Sequence, residues 1–525
     1  MRLLTFITTL CFLAACQPSS THEQTSDAQQ QDSLSGEQHR PLYHFTPPQQ
    51  WMNDPNGMVY YDGEYHLFYQ HYPDSNVWGP MHWGHAVSED MVHWEHLPIA
   101  LYPDSLGMIF SGSAVADLNN TSGLGSAENP PLIAIFTYHN MEGEKAGEND
   151  YQTQGIAYSV DKGRSWEKYE GNPVIENPGI KDFRDPKVFW HQESERWIMI
   201  FAAADRIRLY NSPNLTDWTF MSEFGENSGS HGGVWECPDL FPLLVNGEEK
   251  WVMLVSINPG GPNGGSATQY FIGDFDGQTF TNDNSPGTSL WVDYGKDNYA
   301  GVSWSNVPES DGRRIFLGWM SNWQYANIVP TYSWRSAMTI ARELQLVDTE
   351  EGIRLSSLPV EELHSLRKAS LEVESQRISA TQSLSAQTSW QAVAKEGIFE
   401  FIVPQNSQVK EFGLKLSNSL GEEVLLGYDK MKNEYYVDRS QAGKNEFSAD
   451  FAGRHPAPRT ATSDTIKMHV YIDVASVELF ADDGKTVMTE IFFPNENFLQ
   501  LDLYTEGGEV QLVSGNLHQL EGSMP

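Results

Sequence analysis

The chain is built from short runs of apolar residues separated by turn-forming residues. From Trp51 to about Leu346, runs rich in Val, Ile, Phe, Tyr and Trp are interrupted by Gly, Pro, Asn and Asp, and no long stretch has apolar residues at helical spacing. Asp62-Gly63 joins two such runs, and this dipeptide is typical of a two-residue hairpin turn. The pattern predicts an all-β fold.

A strand-rich unit recurs through this region. We place the unit starts about 50 to 75 residues apart, at Asp54, Ser111, Asp185, Glu236 and Tyr299. Long repeats of about four strands each are typical of a β-propeller. Residues 41–346 are therefore predicted to form a five-bladed β-propeller, in which the first strand of each blade lines a central channel and the unit starts converge.

The pattern changes towards the C-terminus. Residues 347–370 are charged and Ser-rich, so we expect a linker. Residues 371–525 return to about eight short strands with Gly and Asn turns, which predicts a β-sandwich. No pair of acidic residues in this part suggests chemistry, and we expect it to pack against the propeller.

The N-terminus has the features of an export signal. Met1-Arg2 precedes an apolar run over 3–15 that is too short to span a membrane. The run ends in 13–16 (LAAC), which resembles the lipobox of bacterial lipoproteins and implies that Cys16 is lipidated. Residues 16–40 are polar and predict a flexible tether. We expect a protein anchored by lipid at a bacterial cell envelope, at the outer membrane or cell surface; cleavage without lipidation is the alternative.

Composition narrows the classes of partner and cofactor. The chain has 33 basic and 70 acidic side chains, for a net charge of -37, which excludes nucleic acid as a partner. The same charge disfavours binding to an anionic membrane surface, so we expect the protein to contact a membrane only through the attached lipid. Three cysteines cannot form a disulfide framework. Four histidines alternate with Trp along predicted strands, so hydrogen bonding is favoured over a metal site, and no metal or cofactor is predicted: His82, His85, His93 and His96. Oligomeric state is not indicated.

Three of the five unit starts are acidic, namely Asp54, Asp185 and Glu236. Each alone could cap a turn, but at equivalent positions of a repeat their carboxyls would converge on one aromatic-lined pocket. One acid and one carboxylate flanking a bond are what cleavage of a glycosidic bond requires. Pro55 and the following turn suggest that Asp54 is rigidly held and ionised. The apolar neighbours of Glu236 suggest that the pKa of its carboxyl is raised, and the charge of Arg184 suggests that Asp185 is ionised. The acidic segment 142–150 is predicted to be solvated surface, with a role at the pocket rim as the alternative.

Four motifs resemble those of glycoside hydrolase family 32, which contains invertases, levanases and inulinases. They occur in the family's order, at 51–57 (WMNDPNG), 110–113 (FSGS), 183–186 (FRDP) and 235–238 (WECP). The resemblance implies a five-bladed propeller followed by a β-sandwich, and a retaining hydrolase of terminal β-D-fructofuranosidic bonds in levan, inulin and sucrose. It needs no cofactor.

The resemblance also implies residue roles. Asp54 corresponds to the nucleophile, Glu236 to the general acid/base and Asp185 to a stabiliser of the transition state. The implied wall of the fructose pocket is Asn53, Gln70, Trp78, Phe110, Ser111, Arg184, Tyr299 and Trp319.

Several alternatives stay open. Segments 318–325 and 334–338 look more like bacterial levanases and fungal exo-inulinases than plant invertases, but some endo-acting levanases share the Asp of the first motif. A glycan-binding lipoprotein without activity, or an inverting hydrolase of pentosans on the same fold, would use the same pocket.

Overall fold

The computed structural model describes residues 37–523, and in this range the protein is almost entirely β-structure. Strands pair antiparallel, except that β20 runs parallel to β1. The one α-helix of the described residues is α1 (Met141–Ala146), and short 3-10 turns occur at Ala326–Ile328, Glu361–Leu366 and Ser385–Gln387. None of these helices has the length and apolar character needed to span a membrane. The all-β prediction is confirmed; the predicted signal peptide (1–15), the lipidation of Cys16 and most of the tether (16–40) lie outside the described residues.

The strands between residues 50 and 359 form five separate sheets. The first contains β1 (Gln50–Tyr61), β2 (Glu64–Tyr72), β3 (His82–Ser88) and β4 (Glu95–Leu101). The second contains β5 (Met108–Ala116), β6 (Leu132–His139), β7 (Gln152–Ser159) and β8 (Glu167–Lys168). The third contains β9 (Phe183–His191), β10 (Arg196–Ala203), β11 (Arg206–Ser212) and β12 (Thr219–Phe224).

The fourth and fifth sheets follow the same order. The fourth contains β13 (Val234–Val245), β14 (Glu248–Asn258), β15 (Ala267–Phe275), β16 (Phe280–Asn282) and β17 (Leu290–Trp291). The fifth contains β18 (Tyr299–Ser303) and β19 (Arg314–Met320); after β20 (Trp334–Arg335), which joins the first sheet, it is completed by β21 (Ala337–Met338), β22 (Arg342–Thr349) and β23 (Gly352–Pro359).

The remaining strands form two larger sheets that share one apolar core. Seven strands form one sheet: β24 (Arg367–Val373), β25 (Gln376–Ile378), β27 (Lys395–Ile402), β32 (Thr465–Ile472), β33 (Ser476–Ala481), β34 (Thr486–Ile491) and β36 (Val510–Leu520). Six form the other: β26 (Gln382–Ser383), β28 (Glu411–Ser417), β29 (Glu423–Asp429), β30 (Glu434–Gln441), β31 (Arg454–Pro458) and β35 (Gln500–Glu506). Phe399 and Leu479 of the first sheet pack in the same cluster as Leu414 and Leu426 of the second.

Each of the five sheets buries both of its faces against its neighbours. In β10, Ile198 and Ile200 pack with the fourth sheet, whereas Met199 and Phe201 pack with the second. This alternation follows the two-residue period of a strand and explains why such strands are apolar on both sides. Equivalent clusters join the first and second sheets, the fourth and fifth, and the fifth and first. The apolar contacts therefore close a ring.

A turn of one type follows the third strand in four of the five sheets. An Asp or Asn side-chain oxygen accepts hydrogen bonds from backbone N–H groups two to four residues further on, and an aromatic residue packs behind it. The pairs are Asp90 with Trp94, Asp161 with Trp166, Asn214 with Trp218 and Asp276 with Phe280. The repeated turn shows that the sheets are structurally equivalent.

The segment expected to be a linker is ordered structure instead. Residues 347–370 contain the end of β22, all of β23, a 3-10 turn and the start of β24. Leu355 is buried between the fourth and fifth sheets, and Leu363 and Leu366 are buried in the cluster between the first and fifth. The exposed acidic residues that suggested a linker include Asp348, Glu350 and Glu351, which lie at the turn of the β22–β23 hairpin.

Buried ion pairs connect the five sheets to the two larger ones. The His44 ring lies 2.8 Å from Asp473 and 2.9 Å from Glu478, with all three side chains excluded from solvent. Glu478 also pairs with Arg342 of the fifth sheet. Burial alone would lower the pKa of His44, but its bonds to both carboxylates outweigh burial and raise the pKa to about 9. His44 is therefore a cation at neutral pH.

Replacing His44 should destabilise the protein in a pH-dependent way. His44→Gln removes a buried cation between two carboxylates, and we expect a loss of about 3 kcal/mol in the free energy of unfolding near pH 6. Because the folded-state pKa is raised, the wild-type contribution is complete below the unfolded value of about 6.5 and is lost as pH rises through about 9. Urea unfolding followed by tryptophan fluorescence at pH 6 and pH 9 measures both effects.

His93→Gln is the matched control. His93 pairs with Asp90 on the surface, where its side chain is 55% exposed, so its loss should change the unfolding free energy by less than about 0.5 kcal/mol. A His44→Gln penalty that does not shrink between pH 6 and pH 9 would contradict a buried imidazolium.

Candidate active site

A β-bulge interrupts the first strand of each of the five sheets. The ladder shifts register at Asn53/Pro55 in β1, Ile109/Gly112 in β5, Arg184/Lys187 in β9, Glu236/Asp239 in β13 and Tyr299/Val302 in β18. These strands also contact one another in sequence, and β18 returns to β1. A bulge leaves a residue unpaired and re-aims its side chain. The five unit starts expected from the sequence all lie at these bulges.

Some bulge residues have backbone conformations that are unfavourable for side chains other than glycine. The φ angles are 67° at Asp185, 44° at Cys237 and 54° at Ala300. Left-handed φ at such residues is maintained only when the surrounding structure enforces it, and it is common at functional sites. The ladder hydrogen bonds on both sides of each bulge provide that constraint.

The bulged strands surround a cavity of about 230 Å³. It contains all three acidic unit starts, Asp54, Asp185 and Glu236. It is also lined by six of the eight residues expected to form the pocket wall: Asn53, Gln70, Trp78, Phe110, Ser111 and Arg184. The convergence expected from the repeat is thus present.

Exposure separates the floor of the cavity from its rim. Asn53, Gln70 and Asp185 retain 3%, 2% and 5% of their accessible surface. The side chains of Glu236 and Glu144 are 19% and 43% exposed. A molecule entering the cavity therefore meets the rim carboxylates first and the amide groups of Asn53 and Gln70 last.

Asp54 lies at the floor with one oxygen bound and one free. Oδ2 accepts a hydrogen bond of 2.8 Å from the Ser111 hydroxyl, and the Cys237 thiol lies 3.6 Å away. Oδ1 is buried and has no partner among residues 37–523. Burial, together with the negative charge of Glu236, raises the pKa of Asp54 to about 6. The expectation of a firmly ionised Asp54 overlooked this burial.

Asp185 also differs from its expected electrostatic state. Its Oδ2 accepts a 3.0 Å hydrogen bond from the Cys237 backbone N–H, while Arg184 is 3.9 Å away. Burial raises the pKa of Asp185, and the nearby charges of Glu236 and Asp54 add to this effect against Arg184. The sequence suggested that Arg184 keeps Asp185 ionised; its charge does oppose the rise in pKa, but burial outweighs it.

Arg184 instead joins two other carboxylates. It donates to Glu236 Oε1 at 2.9 Å and to Asp182 Oδ1 at 2.7 Å. The Tyr299 hydroxyl donates to the other oxygen of Glu236. Glu236 therefore sits between a guanidinium and a phenol rather than in the apolar setting expected from its neighbours in sequence, since Trp235 points into the core between the third and fourth sheets.

The aromatic wall is partly the expected one. Trp78 and Phe110 meet edge to face at 6.2 Å. Trp319 is fully buried and does not line the cavity; its ring packs at 4.9 Å against Trp323, which does. Tyr299 donates a hydrogen bond to Glu236 and also does not line the cavity. The motif at 318–325 thus supplies a wall residue four positions later than expected, in the turn that follows β19.

Five lining residues besides Trp323 were missed as site residues. They are His139, Glu144, Gln152, Asp182 and Asn258. His139 and Gln152 end and begin adjacent strands of the second sheet, and Glu144 belongs to the acidic segment whose favoured interpretation was solvated surface. The alternative of a pocket-rim role for segment 142–150 covers Glu144, whereas no local signal in the sequence marks the other four. Within residues 37–523 there is no cluster of three or more metal-binding side chains.

Comparison with known proteins places the chain in a family. The model of the glycosyl hydrolases family 32 N-terminal domain matches residues 44–359, and that of the family 32 C-terminal domain matches residues 362–519. The fold and the carboxyl-lined cavity are those of a glycoside hydrolase. The chain belongs to glycosyl hydrolase family 32.

Individual relatives agree with this assignment. The chain is 50% identical to a levanase of Bacillus subtilis, over 99% of this chain and 74% of that protein. It is 39% identical to an extracellular exo-inulinase of Aspergillus niger, over 92% of this chain and 94% of that protein. The crystal structure of an exo-inulinase from Aspergillus awamori superposes with a TM-score of 0.84 and 36% identity, covering 92% of this chain and 99% of the other.

Proposed function

We propose that the protein hydrolyses terminal β-D-fructofuranosidic bonds in fructans, levan or inulin, and in sucrose. The observation that carries this proposal is the single buried cavity in which Asp54, Asp185 and Glu236 meet. Similarity to levanases and exo-inulinases over nearly the whole chain supports fructan as the substrate class.

The proposed reaction is a double displacement. Asp54 attacks the anomeric carbon of the terminal fructosyl unit while Glu236 protonates the departing oxygen, which leaves a fructosyl-enzyme. Glu236 then removes a proton from water, and the resulting hydroxide displaces Asp54 with net retention of configuration. Arg184 and Tyr299 both donate to Glu236 and fix the position of its carboxyl group. Asp185 binds fructose hydroxyls and stabilises the oxocarbenium-like transition state.

The floor of the cavity suits one sugar unit. Asp54 Oδ1 and Gln70 Nε2 are buried polar atoms without a partner among the described residues, and such atoms are costly unless a ligand satisfies them. A small cavity with a closed, polar floor admits the end of a polymer rather than its middle. This supports exo action over endo action.

We propose the domain organisation from the same contacts. The ring of first strands and the apolar clusters between consecutive sheets support a five-bladed β-propeller, and the two larger sheets around one core support a β-sandwich. The boundary falls at residues 360–361, between the two family matches. Export is supported by the extracellular exo-inulinase among the relatives, and we retain the N-terminal signal with lipid attached to Cys16 as the proposed means of anchoring.

A time course on levan, inulin and sucrose tests the proposed function. Exo action releases fructose alone from the first minutes, because only the chain end reaches the floor. Chromatography of the products measures this, and NMR of the first sugar formed should show the retained β-anomer. Early fructo-oligosaccharides would show endo action, an initially inverted anomer would overturn the double displacement, and release of pentoses from arabinan without activity on fructans would overturn the substrate class.

Substituting the two carboxyls should separate their roles. Asp54→Ala removes the nucleophile and should lower kcat roughly 10⁴-fold or more on every fructoside. Glu236→Ala should lose about 10²- to 10⁴-fold on fructans, yet still release a burst of 4-nitrophenolate from 4-nitrophenyl β-D-fructofuranoside, whose leaving group needs no proton. Azide, a nucleophile that needs no base, should restore turnover of the Glu236→Ala variant. Equal losses on both substrate types in Glu236→Ala would contradict its role as the acid.

The loss of activity at acidic pH should follow the protonation of Asp54. Burial and the charge of Glu236 raise the pKa of Asp54 to about 6. Because only the ionised form of Asp54 attacks, kcat/KM should fall tenfold per pH unit below about pH 6. Ser111→Ala removes a hydrogen bond that favours the ionised form and should move this midpoint to higher pH. Ser222→Ala, whose hydroxyl bonds the Gln278 carbonyl on the surface, should leave it unchanged. A Ser111→Ala midpoint equal to that of the wild type would contradict the assignment to Asp54.

A further inference from the structure

A short helix brings an extra carboxylate to the mouth of the cavity. Helix α1 is inserted between β6 and β7, with Asn140 capping its N-terminus and Gly147 ending it in the left-handed conformation at φ 81°. Glu144, in its last turn, lines the cavity with a side chain that is 43% exposed. The cap residues fix the helix, so the carboxylate has a defined place at the rim.

A chain of hydrogen bonds with one direction leads from the backbone to Glu144. The Phe183 N–H donates to Gln152 Oε1 at 2.7 Å, which leaves the amide nitrogen of Gln152 to donate to His139 Nδ1 at 3.0 Å. His139 Nδ1 is thus an acceptor, and its proton must lie on Nε2. Nε2 donates to Glu144 Oε2 at 3.1 Å.

His139 is held neutral and fixed in position. Burial lowers its pKa to about 4, against the opposing influence of Glu144. Its ring stacks on Phe110 at 4.2 Å with an interplanar angle of 10°, and its side chain is 4% exposed. The groups that face it are Glu144, Arg184 and Asp182. Only one oxygen of Glu144 is used by this chain; Oε1 has no hydrogen-bond partner among residues 37–523.

The Glu144 side chain is 43% exposed, against 5% for Asp185 and 19% for Glu236, so it lies nearer to solvent than these two reacting carboxyls. Asn53 and Gln70 at the floor are at most 3% exposed. A carboxylate oxygen at the cavity mouth is a hydrogen-bond acceptor, and the ring hydroxyls of a sugar are donors. A charged acceptor makes stronger hydrogen bonds to such hydroxyls than a neutral one.

We propose that Glu144 is a specificity-determining residue that accepts hydrogen bonds from the sugar on the leaving side of the cleaved bond, and that His139 is the residue that positions it. This inference rests on the proposed function, because it assumes that the floor holds the terminal fructose. It assigns to helix α1 a role in recognising a carbohydrate leaving group.

Two substrates with the same fructosyl unit test the proposal. A fructosyl-fructose disaccharide presents a second sugar, whereas 4-nitrophenyl β-D-fructofuranoside presents a ring without hydroxyls. Glu144→Ala should lower kcat/KM about tenfold on the disaccharide, mainly through KM, and change it less than about twofold on the aryl fructoside. In Glu144→Gln the His139 Nε2–H binds the one amide oxygen, which leaves an NH2 donor in place of the free acceptor, so this variant should also lose most of the wild-type kcat/KM on the disaccharide.

Two further variants control for charge and structure. Glu142→Gln removes the same charge from the same helix at an exposed position outside the cavity, and both substrates should behave as with the wild type. His139→Gln should mimic Glu144→Ala on the disaccharide if His139 acts through Glu144. Circular dichroism and thermal unfolding of each variant establish that it is folded.

The outcomes separate this inference from the proposed function. If the wild type hydrolyses neither substrate, the proposed function fails. If the wild type is active and Glu144→Ala changes both substrates equally, Glu144 contacts the fructosyl unit or supports the fold, and the inference fails. If Glu144→Ala changes neither, or if Glu142→Gln matches it, the inference fails as well.

Discussion

Closure of the five first strands into a ring is the constraint on which the rest of the structure depends. Each strand contacts the next and β18 returns to β1, while apolar clusters fill the space between every pair of consecutive sheets. A shift of one residue would send every side chain of a strand to the opposite face of its sheet and disrupt the packing against both neighbouring sheets. The ring therefore fixes the level of each bulge, and residues far apart in sequence meet at one cavity.

The bulges concentrate negative charge in a small space. Asp54, Asp182, Asp185, Glu144 and Glu236 line the cavity together with a single guanidinium, that of Arg184. Mutual repulsion and burial both disfavour ionisation, which is why the pKa values of Asp54 and Asp185 are raised. Arg184 donates hydrogen bonds to Glu236 and Asp182 and compensates their charges directly. Asp54, Asp185 and Glu236 therefore have different electrostatic surroundings, although they come from equivalent positions of a repeat.

The two parts of the chain are joined by buried charges rather than by a flexible segment. His44, Arg342 and Glu478 connect the N-terminal segment, the fifth sheet and the larger seven-stranded sheet. Arg439 of the six-stranded sheet pairs with Asp297, which precedes the fifth sheet. Such pairs are costly to separate because each leaves a charge unpaired in the interior. Tyr471 and Phe480 of the seven-stranded sheet add apolar contacts at the same junction, in the cluster that also contains Leu317 of the fifth sheet.

The sequence by itself determined the strand-rich character, the repeat and the identity of the three acidic residues at its unit starts. These features are local. Apolar runs interrupted by Gly, Pro and Asp determine where the strands lie, and motifs such as that at 51–57 can be recognised without any knowledge of their tertiary contacts. The same local logic failed for residues 347–370, where exposed acidic residues form the turn of a hairpin whose strand β23 buries Leu355.

Only the tertiary structure decided the electrostatics and the outer part of the site. Arg184 adjoins Asp185 in sequence but donates its hydrogen bonds to Asp182 and to Glu236, which is 52 positions away. Trp323 rather than Trp319 lines the cavity, and Glu144 reaches it through a helix whose sequence resembles ordinary solvated surface. Burial, side-chain direction and pairing across sheets arise from packing between distant segments, so no window of sequence contains them.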